Sequence, residues 1–256
     1  GAGVLALFGI ILTGLFVVAY GLWPLVTSQQ LNQGPFKLEP GERLVRVVQF
    51  NAFVDNLNTV AIADELRRLN ADVIALEEFE GAKREVFFRL RSDYPYQYDC
   101  HEAPDCQFGI LSRVPILATA SSENWLGPPF ASARLGGRLE GITVYAVHTL
   151  RFPHSRAQLK QANALAKRLE GETGHVIVMG DFNATPFSRI TSVIEHSTGM
   201  KRLTYLPSWP AWSPVPQLAI DHVFASPDIR PLAPPQVGNP SGSDHLPVVI
   251  NLAIPK

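Results

Sequence analysis

An acid and an amide follow one short apolar segment of this sequence. Val176 to Met179 is apolar and largely β-branched, which predicts a short buried strand that stops at Gly180. Asp181 and Asn183 come directly after it. Alternate residues of an extended segment face the same way, so these two side chains could together hold a water molecule, a metal or a phosphate. Gly, Asp and Asn also favour turns for backbone reasons alone, so a simple polar turn is the alternative.

Similar side chains stand at or just beyond the ends of other predicted strands. These strands run from about Leu44 to Phe50, from Val73 to Leu76 and from Ile142 to Val147. The polar residues that follow them are Asn51, Glu77, Glu78 and His148. Loops beyond strand ends are where open sheets place their sites, although a solvated strand edge would look the same in sequence.

Helical segments separate these strands. One ends near Leu69 and could be capped by Asn56 or Asn58, one covers about residues 81–91, and one covers Arg156 to Leu169. Gly136 and Gly137 suggest a hairpin turn. Strands that alternate with helices, followed by β-rich stretches, predict an α/β or α+β layered domain.

Length and charge limit the classes of protein to which the chain can belong. The chain of 256 residues suits one large domain plus an appendage. Its formal net charge of −1 gives no sign of the strong basic field that dominates non-specific nucleic-acid binding. Its two cysteines are too few for a disulfide scaffold.

The N-terminal segment differs from everything after it. Val4 to Val26 is predominantly apolar, no charged residue precedes Lys37, and as a helix this run would be roughly 34 Å long. We therefore predict a transmembrane helix within residues 1–27, at about 4–26, a linker over 28–42 and a catalytic domain over 43–256. A signal peptide fits less well, and a buried core helix is the alternative. Since the sequence opens on Gly1 rather than Met, we expect a fragment of a longer chain.

Seven short motifs occur in the order typical of one superfamily. The motifs are QFN (49–51), DVIALEE (72–78), GILSR (109–113), VHT (147–149), GDFNATP (180–186), IDHVF (220–224) and SDHLP (243–247). On these motifs the chain resembles the endonuclease/exonuclease/phosphatase superfamily, and in particular a membrane-tethered bacterial branch, from about Arg43 to Ile254. The resemblance implies a four-layered sandwich, with two central mixed β-sheets flanked by helices, and magnesium-dependent cleavage of phosphoester bonds.

The resemblance also implies roles for individual residues. Asn51, Glu78 and Asp244 would bind or surround Mg²⁺ or Mn²⁺. His148 would contact the phosphate, Asp181 would orient or deprotonate the attacking water, Asn183 would position the phosphate, and Asp221 with His245 would form a carboxylate–imidazole pair. Arg113 and Trp209 are candidate substrate-binding residues. Glu77 replaces the usual glutamine and adds local charge, while His222 stands where the family often has an aromatic residue.

Other functions remain as alternatives. A catalytically inactive, membrane-tethered binding module is one. A zinc site built from Cys100, His101 and Cys106 is another, but it lacks an obvious fourth ligand. The branch would place the domain outside the cytoplasm, where Cys100 and Cys106 could form a disulfide; free cysteines are the alternative.

Substrate and location follow from the resemblance less directly. The substrate could be a lipid headgroup, a small phosphodiester or nucleic acid, and Trp209 and Trp212 could form a rim that meets it. We expect a phosphodiesterase or phosphatase acting near the membrane surface, with an endonuclease or exonuclease as the alternative. The expected location is the bacterial inner membrane with an extracytoplasmic domain, held by the N-terminal helix. The sequence indicates no protein partner.

Overall fold

The computed structural model describes residues 3, 9, 11, 13, 14, 37–100, 106–122, 126–213 and 217–256. Most of the predicted transmembrane helix and most of the predicted linker lie outside the described residues, so both stay predictions. None of the helices formed by the described residues has the length and apolarity that crossing a bilayer requires.

Two mixed β-sheets occupy the centre of the domain. Their strands are β1 (Glu42–Asn51), β2 (Val73–Glu77), β3 (Tyr96–Asp99), β4 (Gly109–Ser112), β5 (Ile116–Ser122), β6 (Phe130–Leu135), β7 (Ile142–His148), β8 (His175–Asp181), β9 (Lys201–Arg202), β10 (Asp221–Ala225), β11 (Arg230–Pro231), β12 (Gln236–Val237) and β13 (Val248–Pro255). The first sheet has the order β11–β13–β1–β2–β4–β3, with β12 also paired to β13, and the second has the order β5–β6–β7–β8–β10–β9.

Helices cover the two outer faces. They are α1 (Thr59–Leu69), α2 (Glu85–Arg89), α3 (Ser155–Leu169) and α4 (Arg189–Thr198), with short 3₁₀ turns at Gly81–Arg84 and Gly137–Leu139. The helix predicted over 81–91 is therefore a 3₁₀ turn followed by a short α-helix. Asn58 caps α1, since its side chain accepts a hydrogen bond from the Ala61 amide at 3.1 Å.

Three apolar clusters separate the four layers. The largest lies between the two sheets and includes Val47, Ile110, Val144 and Ile250. A second joins the first sheet to α1 and α2, and a third joins the second sheet to α3 and α4. The predicted four-layered sandwich with two mixed sheets and flanking helices is confirmed.

The pairing of parallel strands places the polar strand ends side by side. β1 runs parallel to β2 and pairs Asn51 with Glu77, while β7 runs parallel to β8 and pairs His148 with Asp181. β8 continues through Gly180 to Asp181, two residues beyond the predicted end. Gly180 is required there, because a β-carbon at this position would overlap the carbonyl oxygen of Val147 on the neighbouring strand. Asp181 is thus held by the sheet itself.

Candidate active site

One edge of the sandwich gathers the polar ends of strands from both sheets. Asn51 ends β1, His148 ends β7, Asp181 ends β8, and Asp221 begins β10 directly opposite Asp181 in the antiparallel register. The amide of Asn51 reaches from the first sheet to Asp181 on the second, with Nδ2 3.2 Å from Oδ2. The two sheets therefore contribute to a single site, which we call the catalytic edge.

Asp181 lies at the centre of this site and is buried. Its Oδ1 accepts the backbone N–H of Asn183 at 2.7 Å, and its Oδ2 accepts the side-chain amides of Asn51 and Asn183, each at 3.2 Å. Asn183 adopts a left-handed backbone conformation with φ of 46°, so the chain turns back there. The predicted proximity of the two side chains is present, but it comes from this turn rather than from strand alternation.

Glu78 is held beside Asp181 through Asn51. One amide nitrogen of Asn51 donates to Glu78 Oε1 at 3.0 Å and to Asp181 Oδ2, while the backbone N–H of Val54 donates to Glu78 Oε2 at 2.6 Å. Glu78 also has positive φ, 51°, which is uncommon for a residue with a side chain. Such conformations persist where the surroundings fix them, and here they turn the carboxylate into the site.

His245 and Asp221 form a buried ion pair. His245 Nδ1 lies 2.9 Å from Asp221 Oδ2, which also accepts the hydroxyl of Ser208. Asp221 Oδ1 accepts Nε2 of Gln49 at 2.8 Å. The carboxylate is therefore held on both oxygens, and it fixes the orientation of the imidazole.

The charges of these groups shift one another's pKa. Burial raises the pKa of Asp181, and the charge of Asp221 adds to this effect. Burial disfavours the imidazolium of His245, but the charges of Asp221 and Asp181 outweigh it and raise the pKa of His245 to about 10. Burial likewise opposes ionisation of Asp221, but the His245 charge and the hydrogen bonds from its partners lower its pKa. His245 is therefore an imidazolium at neutral pH.

Glu77 behaves differently from the expectation that it adds charge. Its side chain is fully buried, and Nε2 of Gln49 donates to its Oε2 at 2.8 Å. Burial raises the pKa of Glu77 well above the usual range, and the charges of Asp221 and Asp181 raise it further. Burial therefore favours the neutral form of Glu77 over the carboxylate, which opposes the expectation of added charge.

Two imidazoles keep a nitrogen that faces the centre of the site. Nε2 of His148 lies 3.6 Å from Asp181 Oδ2 and 3.8 Å from Glu78 Oε1, and Nε2 of His245 lies 3.7 Å from Asp181 Oδ2. These distances are longer than a hydrogen bond, so both nitrogens can donate to a substrate oxygen. The amide of Asn183 instead donates to Asp181 and to the Thr149 carbonyl oxygen at 3.0 Å. In this structure the Asn183 amide positions Asp181, and its predicted role towards a phosphate stays a prediction.

The oxygen atoms near Glu78 suit a hard divalent cation. Mg²⁺ and Mn²⁺ prefer oxygen ligands, and Mg²⁺ keeps several waters, so one or two carboxylates suffice. Glu78 is partly exposed and already turned into the site, and Asp181 offers a second carboxylate close to it. Asp181, Asp221 and His245 form another group whose candidate ligand atoms lie within 4.8 Å of one another. Asp221 and His245 already form a hydrogen-bonded ion pair with each other there, so a cation fits better at Glu78.

Trp209 and Asp244 complete one side of the site. The indole N–H of Trp209 donates to Asp244 Oδ2 at 3.0 Å, and its ring centre lies 6.4 Å from that of His245. The backbone N–H of Ala211 donates to the Asp244 carbonyl oxygen at 2.7 Å. Trp209 therefore orients Asp244. The predicted contact of Trp209 with substrate would be a second role for the same ring.

Arg113 does not reach the site, contrary to its prediction as a substrate-binding residue. It follows β4, which runs antiparallel to β2 and ends beside Val73, at the start of that strand. Its guanidinium donates to Asn70 Oδ1 and lies over the ring of Tyr94 at 5.1 Å. The antiparallel direction of β4 carries Arg113 to the opposite edge of the sheet, where it has a structural role.

His222 and the two cysteines lie outside the reacting centre. The Nε2 atom of His222 is 2.8 Å from the Ala184 carbonyl oxygen, and burial lowers the pKa of this histidine to about 4, so it stays neutral and supports the segment after Asp181. Cys100 and Cys106 are joined by a disulfide. Neither sulfur is then a thiolate for the alternative zinc site, and His101 lies outside the described residues.

Sequence reasoning assigned no role to two residues that hold Asp221. Gln49 lies two residues before Asn51 on the same strand, so strand alternation could have placed both on one face. Ser208 lies in the Pro- and Trp-rich stretch before β10, where no periodic pattern indicates which side chain turns inward. Gln49 thus had a sequence signal, and Ser208 had none.

Comparisons with known proteins agree with this architecture. The sequence model of the endonuclease/exonuclease/phosphatase family matches residues 48–245. No curated protein matches the chain.

Solved structures of low sequence identity share the fold. An endonuclease/exonuclease/phosphatase family protein from Bacteroides thetaiotaomicron is 15% identical, with a TM-score of 0.64, over 85% of this chain and 100% of that one. A beta toxin from Staphylococcus aureus with bound magnesium ions is 14% identical, with a TM-score of 0.63, over 84% and 100%. A sphingomyelinase C from Streptomyces griseocarneus is 16% identical, with a TM-score of 0.59, over 82% and 99%.

Proposed function

The chain belongs to the endonuclease/exonuclease/phosphatase family, and from that premise we propose that it is a metal-dependent hydrolase of phosphoester bonds. One observation carries the proposal. Asp181 is buried among two amide donors, with the Nε2 atoms of His148 and His245 3.6 and 3.7 Å from its Oδ2. A carboxylate oriented by amides and faced by two imidazoles can serve both a water nucleophile and a phosphoryl group.

Asp181 is the group that would act on the attacking water. Its carboxylate is fixed by Asn51 and Asn183, so it can accept a hydrogen bond from water in one defined direction. Phosphoryl transfer needs such positioning more than it needs covalent chemistry. Asp181 would accept a proton from the water as the oxygen attacks phosphorus.

His245 and His148 would bind the phosphoryl oxygens. His245 is charged at neutral pH because Asp221 and Asp181 raise its pKa, so it stabilises the negative charge that develops in the transition state. Gln49 and Ser208 hold Asp221, and Asp221 holds the imidazole. The whole set acts as a rigid donor for an anionic substrate.

A divalent cation would be held at Glu78, with Asp181 close to it. Asp244, expected to bind or surround the ion, lies beside Trp209 and His245. Bound there, it would neutralise charge on the phosphate oxygens and act as a Lewis acid. Asn51 bonds to Glu78 and to Asp181, and so fixes the spacing of the two carboxylates. One beta toxin of the same fold carries magnesium ions, which supports Mg²⁺ as the first ion to test.

Turnover of a soluble phosphodiester tests this assignment. The purified chain should hydrolyse bis(p-nitrophenyl) phosphate with Mg²⁺ or Mn²⁺, and chelation should stop the reaction until metal is restored. Arg113→Ala is the control for loss of a charged residue away from the site, and it should keep the activity of the parent. Arg113 lies at the opposite edge of the sheet. Activity that persists in excess chelator would refute the metal dependence, and no hydrolysis of any phosphoester would favour an inactive binding module.

The finer proposal is that the enzyme works near a membrane surface. The apolar run Val4 to Val26 supports it, because a transmembrane helix there would confine the domain close to lipid headgroups. The net charge of −1 gives no general affinity for nucleic acid. Attachment to the bacterial inner membrane with an extracytoplasmic domain belongs to the same proposal.

A parallel substrate screen separates this proposal from nuclease activity. The chain would be assayed on phospholipid vesicles, plasmid, single-stranded DNA and small phosphate esters, with Asp181→Asn as the inactive control. We expect hydrolysis of a lipid headgroup or a small ester. Rapid plasmid nicking at physiological salt, with lipids untouched, would show that the enzyme is a nuclease.

A further inference from the structure

The three most exposed large apolar side chains among the described residues all lie on loops of the catalytic edge. They are Phe152, 83% exposed, Trp212, 79% exposed, and Leu57, 72% exposed. Single exposed apolar residues are normal on a protein surface. Three on separate loops at one edge form a group, which we call the apolar rim.

Short connections tie each member of the apolar rim to a site residue. Leu57 lies in the loop between Asn51 and α1, and Phe152 lies in the loop between His148 and α3. Trp212 follows Ala211, whose backbone N–H bonds to the carbonyl oxygen of Asp244. Each loop therefore has an exposed apolar residue although its base lies at the site.

Cationic side chains accompany part of the apolar rim. Arg151 and Arg156 are exposed on either side of Phe152, and neither forms an ion pair with another described residue. Asp55, also exposed, lies near Leu57, so the positive charge is concentrated on the Phe152 side. Apolar tips beside arginine are the combination that inserts into a lipid interface and attracts anionic headgroups.

An aliphatic member favours lipid over single-stranded nucleic acid as the partner. Aromatic rings and arginine can stack on bases, so Phe152 and Trp212 alone would suit either partner. Leu57 has no ring to stack, and it gains from contact with acyl chains as much as the aromatic tips do. The rim as a whole therefore matches a bilayer surface.

The path of the chain explains why such a rim would be needed. β1 begins at Glu42 and ends at Asn51 on the catalytic edge, so the chain enters the domain at the opposite end, about 30 Å away. Arg230 also fixes Lys37 there, since Nη2 donates to its carbonyl oxygen at 2.8 Å. A relaxed chain over 27–36 would span only about 18 Å. A tether at this end does not by itself orient the catalytic edge towards the membrane.

We propose that Leu57, Phe152 and Trp212 insert into the lipid interface and turn the catalytic edge towards phosphoesters at a bilayer surface. This inference rests on the proposed function and specifies how the same site meets its substrate. Contact through three tips from separate loops would fix the orientation of the site relative to the membrane. The rim then supplies the orientation that the N-terminal tether lacks.

The test measures vesicle binding with a chain that lacks the apolar N-terminal segment. Residues 37–256 contain β1 complete and all three core clusters formed by the described residues, which lie between Val45 and Ile254, so this piece holds the core of the domain. Co-sedimentation would use vesicles of phosphatidylcholine with and without phosphatidylglycerol. Leu57→Ser, Phe152→Ser and Trp212→Ser would be made singly and together, and Phe88→Ser would be the control.

Phe88 is a matched control because it is 67% exposed but lies on α2, outside the loops of the catalytic edge. Each rim substitution should lower the vesicle partition coefficient up to about tenfold, and the triple variant by more. Phe88→Ser should bind as the parent does. The fluorescence of Trp212 is obtained by subtracting the spectrum of Trp212→Phe from that of the parent. Brominated lipid should quench this fluorescence.

Each outcome separates this inference from the proposed function. Binding is measured without turnover, so a parent that binds vesicles but fails to hydrolyse bis(p-nitrophenyl) phosphate would refute only the proposed function. A parent that hydrolyses the ester but does not bind vesicles would refute insertion of the apolar rim into lipid. Rim variants that bind vesicles as the parent does would refute it as well. Loss of single-stranded oligonucleotide binding in the rim variants, with vesicle binding intact, would assign the surface to nucleic acid.

Discussion

Nε2 of His245 lies 3.7 Å from Oδ2 of Asp181, and neither atom is within hydrogen-bonding distance of the other. The remaining ring nitrogen is bonded to Asp221, so the ring cannot rotate to close this gap. The gap leaves room for a substrate oxygen to contact the imidazolium on one side and for water to contact the carboxylate on the other. The imidazolium of His245 and the carboxylate of Asp181 therefore stay separate, so that one can contact substrate while the other contacts water.

Asp181→Asn should abolish most of the turnover. The amide keeps the shape of the side chain but cannot accept a proton from water, and general-base catalysis contributes roughly 10²- to 10⁴-fold. Stability should fall moderately, because the amide nitrogen of asparagine would face N–H donors that the carboxylate oxygens of Asp181 accept, and the raised pKa of Asp181 offsets only part of that loss. Steady-state kinetics on bis(p-nitrophenyl) phosphate and a thermal melt check both expectations. Full activity in this variant would remove Asp181 from the mechanism.

Glu78→Gln should weaken the effect of metal more than it weakens the fold. The parent should melt at a higher temperature in Mg²⁺ or Mn²⁺ than in chelator, because an ion that binds only the folded state stabilises it. Glu78 is partly exposed at the proposed cation site, and replacing its carboxylate should remove most of that shift. Glu80→Gln provides a control at a nearby acid. An undiminished shift in Glu78→Gln would place the cation elsewhere.

The metal-free protein should lose stability as pH rises from about 6.5 to about 10. The pKa of His245 rises from its ordinary value of 6.5 to about 10 in the folded state, so the folded state holds a proton that the unfolded chain releases in this range. The slope from this one group is at most about 1.4 kcal/mol per pH unit. Urea unfolding across this range checks it, and the difference from His245→Gln isolates the contribution. Equal slopes in the two proteins would contradict the assignment.

Much of the fold was predictable because local and tertiary signals agree. Val73 to Leu76 and Ile142 to Val147 are apolar runs with polar residues at their ends, and both form buried strands. The site was less predictable, because its geometry depends on turns and on long-range contacts. Asn183 meets Asp181 through a left-handed turn, and Ser208 meets Asp221 from a stretch without periodicity. The motif that contains Arg113 was present, but strand direction carries that residue away.

Ser208→Ala should impair catalysis through the orientation of His245. The Ser208 hydroxyl donates to Asp221 Oδ2, the same oxygen that His245 Nδ1 contacts, and the residue is fully buried. A hydrogen bond to a charged group is worth about 1.5–3 kcal/mol, so kcat should fall measurably with little change in KM. Ser208→Thr, which keeps the hydroxyl, should recover part of the loss. If Ser208→Ala changes stability but not kcat or its pH profile, the residue is only structural.

The disulfide should be present in protein purified without reductant. Closing the short loop between Cys100 and Cys106 would contribute about 2 kcal/mol in the chain-entropy model. Intact mass before and after reduction, combined with alkylation, measures the state of both sulfurs. The double variant Cys100→Ser and Cys106→Ser should melt at a lower temperature and keep activity on a soluble ester. Quantitative alkylation without reductant would show that the cysteines are free.

Glu77→Gln should leave the protein as stable as the parent, or more stable, at neutral pH. Burial raises the pKa of Glu77, so the folded state must take up a proton that the unfolded chain has released above about pH 4.5, the ordinary value for glutamate. The stability that this group contributes is therefore present at low pH and lost as pH rises. Glutamine removes the free-energy cost of protonating this side chain on folding, and it can still accept the hydrogen bond from Gln49 through its carbonyl oxygen.

Urea unfolding at pH 5 and pH 8 should show that the stability of Glu77→Gln rises relative to that of the parent at the higher pH. Glu77→Ala is the control, because it opens a cavity and should destabilise at both pH values. A Glu77→Gln variant that loses stability as pH rises, relative to the parent, would mean that Glu77 is ionised in the folded protein.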